Sequence, residues 1–218
     1  MKTLLQNLIA LFITVPALAA PQTFGVAARP DGSTGVVFRL PYTGGTHTGH
    51  ARRILGGLQV DPGDLTKTTG HLIVPIASIV TGDLKRDCHM RESLGLDYSA
   101  SKFPEEHVCD NNQQLQPTGP DSVVFPTIEF NLTGASAGRL QPGVATPVTV
   151  HGRFFIHGIQ RVLAIPATVT LTAQNQILVQ AKGGLRLADF GIIVKKFLFI
   201  NVGESAQIDL NLLFARAQ

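Results

Sequence analysis

The stretch VTVHGRFFIHGIQRVLAIPATVTL, residues 148–171, decides the fold. In its first arm Val148, Val150, Gly152, Phe154 and Ile156 share one parity, against Thr149, His151, Arg153 and His157. In its second arm Leu163, Ile165, Ala167, Val169 and Leu171 alternate with Ala164, Thr168, Thr170 and Thr172. Period two over both arms marks two half-buried β-strands. His157-Gly158 between them is a turn signal, so the pair reads as an antiparallel hairpin.

The same parity recurs along the chain. Val36, Phe38 and Leu40 share a face, as do Ile54, Gly56, Leu58 and Val60, and then Leu72, Val74, Ile76 and Ser78. Ile128, Phe130 and Leu132 follow; Ile177, Val179, Ala181, Gly183, Leu185 and Leu187 come next; Ile208, Leu210, Leu212 and Phe214 are last. With the opening hairpin this makes eight stripes, an all-β antiparallel protein. Eight such strands close into a barrel or split into a sandwich, and closure removes the edges that would otherwise be exposed. A barrel of this size either fills with side chains or holds one small ligand. Gly56, Gly152, Gly183, Ala167 and Ala181 on the inner stripe admit two readings. They let the strands coil, or they leave a dry elongated cavity in which each buried methylene of a ligand contributes about 0.8 kcal/mol.

Composition sets the class. Hydrophobic residues are 44% of the chain and charged residues 15%, ample for a core. Net charge is only +3 and no Lys/Arg run interleaves with aromatics, which speaks against nucleic acid as a partner. Residues 1–19 carry Lys2, an apolar run and Ala17-Leu18-Ala19, the pattern of a secretory signal peptide cleaved after Ala19. Pro16 and the polar Gln6 and Asn7 break that run before it becomes a stable spanning helix. The expected mature chain, residues 20–218, is a single exported domain, periplasmic or secreted. The chain has no Gly-x-Ser-x-Gly elbow, Walker loop, dinucleotide glycine loop or His-Glu-x-x-His. No cofactor or metal is expected. His47, His50 and His71 form a possible metal trio that reads more simply as strand-end histidines.

GDLKRDCHMRE, residues 82–92, is the densest charged cluster. It reads as one short helix, with Asp83 as the cap and Asp87 and Arg91 spaced i,i+4. Asp87 and His89 also have the residue types for an acid–base pair.

The hairpin block 148–171, Thr81-Gly82 leading into Arg86-Asp87-Cys88-His89-Met90-Arg91, FPTIEF at 125–130, ADFGI at 188–192 and the closing VGESAQIDLNLLF together resemble the YceI-like family. The resemblance spans residues 23–216. It implies an elongated eight-stranded lipocalin-like barrel with one short helix, binding a polyisoprenoid or another long-chain lipid in its lumen, and no enzyme. Its ligand would touch Phe38, Val74, Ile76, Ile128 and Phe130. It would also touch Gly152, Phe154, Ile165 and Ala167, with Arg86 and His89 facing a headgroup at the mouth. The alternatives are an envelope enzyme using His89 and Asp87 at the mouth, and an interaction protein whose barrel is full.

The chain departs from the family at an insertion of about residues 92–121, whose Asn, Gln, Pro and Gly content reads as a surface loop. Of the two cysteines, Cys88 precedes it and Cys109 lies within it. In an exported protein the pair most simply forms a disulfide, worth about 3 kcal/mol for a loop of this length. A zinc site with His89 and His107, or free thiols, are the other readings. A bridge would tie the helix to the insertion as a flap over the barrel mouth. IIVKKFLFI, residues 192–200, is apolar on both parities; it is either buried against the barrel end or, with Lys195 and Lys196, touches membrane transiently.

Overall fold

A computed structural model describes residues 21–96, 125–136, 138–194 and 201–217. Eleven strands make one antiparallel sheet: β1 Gln22–Ala27, β2 Val36–Tyr42, β3 Gly45–Ala51, β4 Leu55–Val60, β5 Thr69–Pro75, β6 Ile79–Val80, β7 Thr127–Ala135, β8 Ala145–Ile156, β9 Ile159–Leu171, β10 Ile177–Arg186 and β11 Ser205–Arg216. One α-helix, α1 Leu84–Ser93, follows β6. The sheet runs β1-β4-β5-β7-β8-β9-β10-β11-β2-β3-β6, and β1 pairs with β11, which closes eight strands into a barrel.

The hairpin of residues 148–171 is the longest ladder. β8 and β9 pair from Ala145↔Thr170 to Ile156↔Ile159 around a two-residue loop. His157 and Gly158 both take positive φ, 53° and 75°, the backbone that matches the twist of the flanking strands. The His157 Nδ1–H donates to the Phe190 carbonyl, 3.1 Å away, which holds the non-glycine residue there.

Closure uses a strand that parity did not reveal. β1 sends only Phe24 and Val26 inward, with Gly25 between them, too little for a stripe. It nevertheless pairs with the last residues of β11, Phe24↔Arg216 to Ala27↔Leu213, and with β4 on its other edge. β2 pairs with the first part of β11, Gln207↔Arg39 to Leu210↔Val36, and carries β3 and β6 as an extension. The stripe at Val36–Leu40 therefore belongs to the branch, and β1 is the closing stave.

Two apolar clusters pack the ends. The lower one includes Phe24, Val60, Leu65, Leu140, Ile177 and Phe214. Leu65 and Leu140 come from turns that cross the barrel's lower end; Leu65 N donates to Gly138 O and Leu140 N to Pro62 O. The upper cluster holds Ile156, Leu187, Phe190, Ile192 and Ala206, with Leu94 from just past the helix packed against it.

Phe24 is 1% exposed on the closing stave. Truncating it to alanine should cost about 3–5 kcal/mol in urea denaturation. Thr23→Ala, on the exposed parity of the same strand, should lie within about 0.5 kcal/mol of wild type.

Candidate functional site

Between the most buried parts of the two clusters, the inward side chains are only partly buried. Val74, Ile128, Phe130, Val150, Phe154, Ile165 and Leu210 are half-buried, although their parity points them into the barrel. An inward apolar side chain that a water-sized sphere can still touch borders open space. Of the expected lining residues, Val74, Ile128, Phe130, Phe154 and Ile165 lie partly buried on the staves. Phe38 instead lies on β2, in the branch outside the eight closing strands, with its ring against Gly49 of β3. Ile76 leaves the strand and is wholly buried in the 3-10 turn Ile76–Ser78. Ala167 is buried in the lower cluster.

The small residues behave differently from one another. At Gly152 the Phe130 ring takes the room: a Cβ there would stand 2.4 Å from Phe130 Cζ. That glycine admits an aromatic and leaves no volume. At Gly183 a Cβ meets nothing within 4 Å among the described residues, so this position opens on space.

The two clearest hollows among the described residues lie on the outside of the barrel. One, about 470 Å³, is an open groove over β1, β4, β5 and β7, lined by Gln59, His71 and Asn131 among others. Beside it His71 Nε2 meets Glu129 Oε2 at 2.9 Å, and that bond, with one from Thr127, holds the Glu129 carboxyl below its usual range. The other, about 270 Å³, lies over β2 and β11 beside the Arg39–Asp209 ion pair.

The charged cluster forms the predicted helix. Asp83 accepts from Arg86 N at 2.8 Å as its cap. Asp87 is buried and accepts from Thr81 N at 2.6 Å and from the Thr81 hydroxyl. Arg91, also buried, donates through Nε and Nη2 to the Ile79 carbonyl at 3.1 and 3.0 Å. Burial lowers the Arg91 pKa and the Asp87 carboxylate opposes that shift. Both residues thus bind the helix back onto the segment that precedes it. Arg86 Nε donates to Thr81 Oγ1 at 2.8 Å, and Nη1 reaches His47 Nδ1 at 3.3 Å. His47 stacks on Tyr42 with ring centroids 4.1 Å apart. His89 lies 3.7 Å from the wholly buried Glu92. Arg86 and His89, both expected at the mouth, thus lie on a helix that Arg86, Asp87 and Arg91 tie to residues 79–81 and to His47 of β3.

Cys88 is fully buried on this helix, and no cysteine is free among the described residues. Its expected partner Cys109 lies outside the described residues, as do most of the insertion, Lys195, Lys196 and the leader 1–19. Of the 192–200 stretch, Ile192 is buried and Ile193 exposed. His47 and His71 have separate partners, and no cluster of three or more metal-ligating side chains occurs among the described residues.

A closed eight-stranded antiparallel barrel with an apolar inward face and one short α-helix among the described residues is a lipocalin-like fold. The YceI-like domain model matches residues 30–214, and the chain belongs to that family. Among solved structures it is similar to a polyisoprenoid binding domain from Saccharophagus degradans implicated in plant cell wall breakdown, at 13% identity and TM-score 0.58, over 90% of this chain and 99% of that one. It is also similar to Burkholderia cenocepacia BcnA, at 14% identity and TM-score 0.56, over 82% and 94%. No curated protein matches the sequence.

The His47 contact is pH-sensitive. Burial first, and Arg86 second, lower the His47 pKa from 6.5, with Asp83 opposing. The unfolded chain then binds the proton more readily, so stability is complete above the ordinary histidine range and falls as pH drops below it. Urea midpoints at about pH 7.5 and about pH 5.5 should show this loss. His47→Gln should have a smaller difference between the two.

Proposed function

We propose that this protein is an exported, non-catalytic carrier of a long-chain apolar lipid, such as a polyisoprenoid or quinone-like molecule, held in the barrel lumen. The observation that carries the reading is the half-exposed inward face between the two apolar clusters. A filled barrel would bury those side chains as it buries Ile177 and Phe214. The similarity to a structure described as a polyisoprenoid binding domain supports the same ligand class. Export rests on the leader-like residues 1–19 and agrees with a Cys88–Cys109 bridge, which we include in the proposal.

Two observations favour binding over chemistry at the Asp87–His89 pair. Asp87 Oδ1 already accepts two bonds from Thr81 and the side chain is buried. A general base must instead present its oxygen to a substrate proton.

Protein purified from its native host should release a long-chain lipid on organic extraction. Leu210→Trp, which fills the middle of the lumen, should lose it, and Gln180→Trp, on the exposed face of β10, should keep it. Extraction of equal lipid from the Leu210→Trp protein would place the ligand outside the lumen. Intact mass of the mature chain should be two hydrogens below the dithiol form, as a bridge requires.

A further inference from the structure

Apolar clusters pack toward both ends of the barrel, so a lateral entry would let a lumen ligand in without displacing either one. Among the described residues the wall is unpaired along the upper parts of β9 and β10. β9 and β10 pair only from Leu171↔Ile177 to Ala167↔Ala181. Above that point β9 continues from Pro166 back to Ile159 paired only with β8, and β10 continues from Lys182 to Arg186 paired only with β11, among the described residues.

The cause can be read from backbone direction. Thr149 N donates to Ser136 Oγ and Thr149 O accepts from Ser136 N, so the polar groups of Thr149 face away from β9. Its partner across the ladder is Pro166. Opposed residues in an antiparallel pair turn their polar groups the same way, toward or away from each other, so Pro166 turns its backbone toward β10. Proline has no N–H to donate. The ladder therefore stops at the residue where the next bond would form. Continuing the register would place Lys182 opposite Pro166, Gly183 opposite Ile165 and Gly184 opposite Ala164. Both glycines are exposed, with no atom within 4 Å of a Cβ at either among the described residues. Neither supplies a side chain to fill the break.

The lips are apolar. Leu163 and Ile165 line the inner side of the unpaired β9 segment. On its outer side Val162, Ala164 and Pro166 are all exposed, Val162 at 79%. A strand apolar on both faces next to an unpaired edge gives a continuous path from the surface into the lumen.

We infer that the break between β9 and β10 is the portal through which a single-chain lipid slides sideways into the barrel. This rests on the carrier reading above. Without the portal, loading would require one of the packed end clusters to open.

Two independent closures test it, with cis-parinaric acid as the fluorescent probe. Pro166→Val with Gly184→Val restores the missing donor and a strand-forming side chain without adding bulk to the lumen. Ile165→Cys with Gly183→Cys places cysteines at positions that would be directly opposed if the ladder continued. Hydrogen exchange at residues 182–186 reports the first closure, and intact mass the second. In either closed form, stopped-flow association and release should both slow by about tenfold or more, with Kd nearly unchanged. Reducing the engineered bridge should restore the fast rates. Joined edges with wild-type association rates would overturn the portal while leaving the carrier reading intact. A wild-type protein that never takes up the probe would sink the carrier reading and the portal with it.

Discussion

The structure depends on the double pairing of one edge of β11. Its C-terminal half closes the barrel against β1, and its N-terminal half pairs with β2, from which β3, β6 and then α1 follow. The other edge of β11 is paired with β10 along ten consecutive residues. Without the β1 contact the sheet would have free edges and an inner face open to water, an arrangement antiparallel proteins avoid. Without the β2 contact the rim helix would have no scaffold. Phe24 and Phe214, both nearly inaccessible, pack in the lower cluster where the last residues of β11 meet β1.

Polar and apolar parts of the molecule divide the work. The helix is the most charged element, yet its buried Asp87 and Arg91 bond the backbone and hydroxyl of residues 79–81. An isolated buried charge is costly, and a buried carboxylate or guanidinium that receives or donates several hydrogen bonds is tolerated. Asp87 and Arg91 therefore fix the position of the rim. The inward faces of the staves are mostly apolar, so under the carrier proposal selectivity comes from length and cross-section, with affinity rising by the methylene. The rim residues Arg86 and His47 are held in a stack and a hydrogen bond.

Much was legible in the residue order, because β-strands that are buried on one side write their parity into the chain. The hairpin at 148–171, the staves of β4, β5, β7, β10 and β11, and the helix with its Asp83 cap all follow from local pattern. The apolar face of most staves follows too. Gly152 shows the limit: a small inward residue looks like volume in a sequence, and the Phe130 ring from the neighbouring strand occupies it. β1 shows another, since a closing strand with two inward apolar residues has too little periodicity to be seen.

The sequence by itself determined that this is an all-β protein of alternating strands with an apolar interior face, because side-chain period and burial are coupled one residue at a time. Tertiary structure alone decided which strand closes the barrel, which small residues face space, and where the wall is broken. Those depend on register. Pro166 and Gly183 are ordinary residues in their own strands, and they become an opening only because the ladder sets them on facing strands with the missing N–H turned toward the gap.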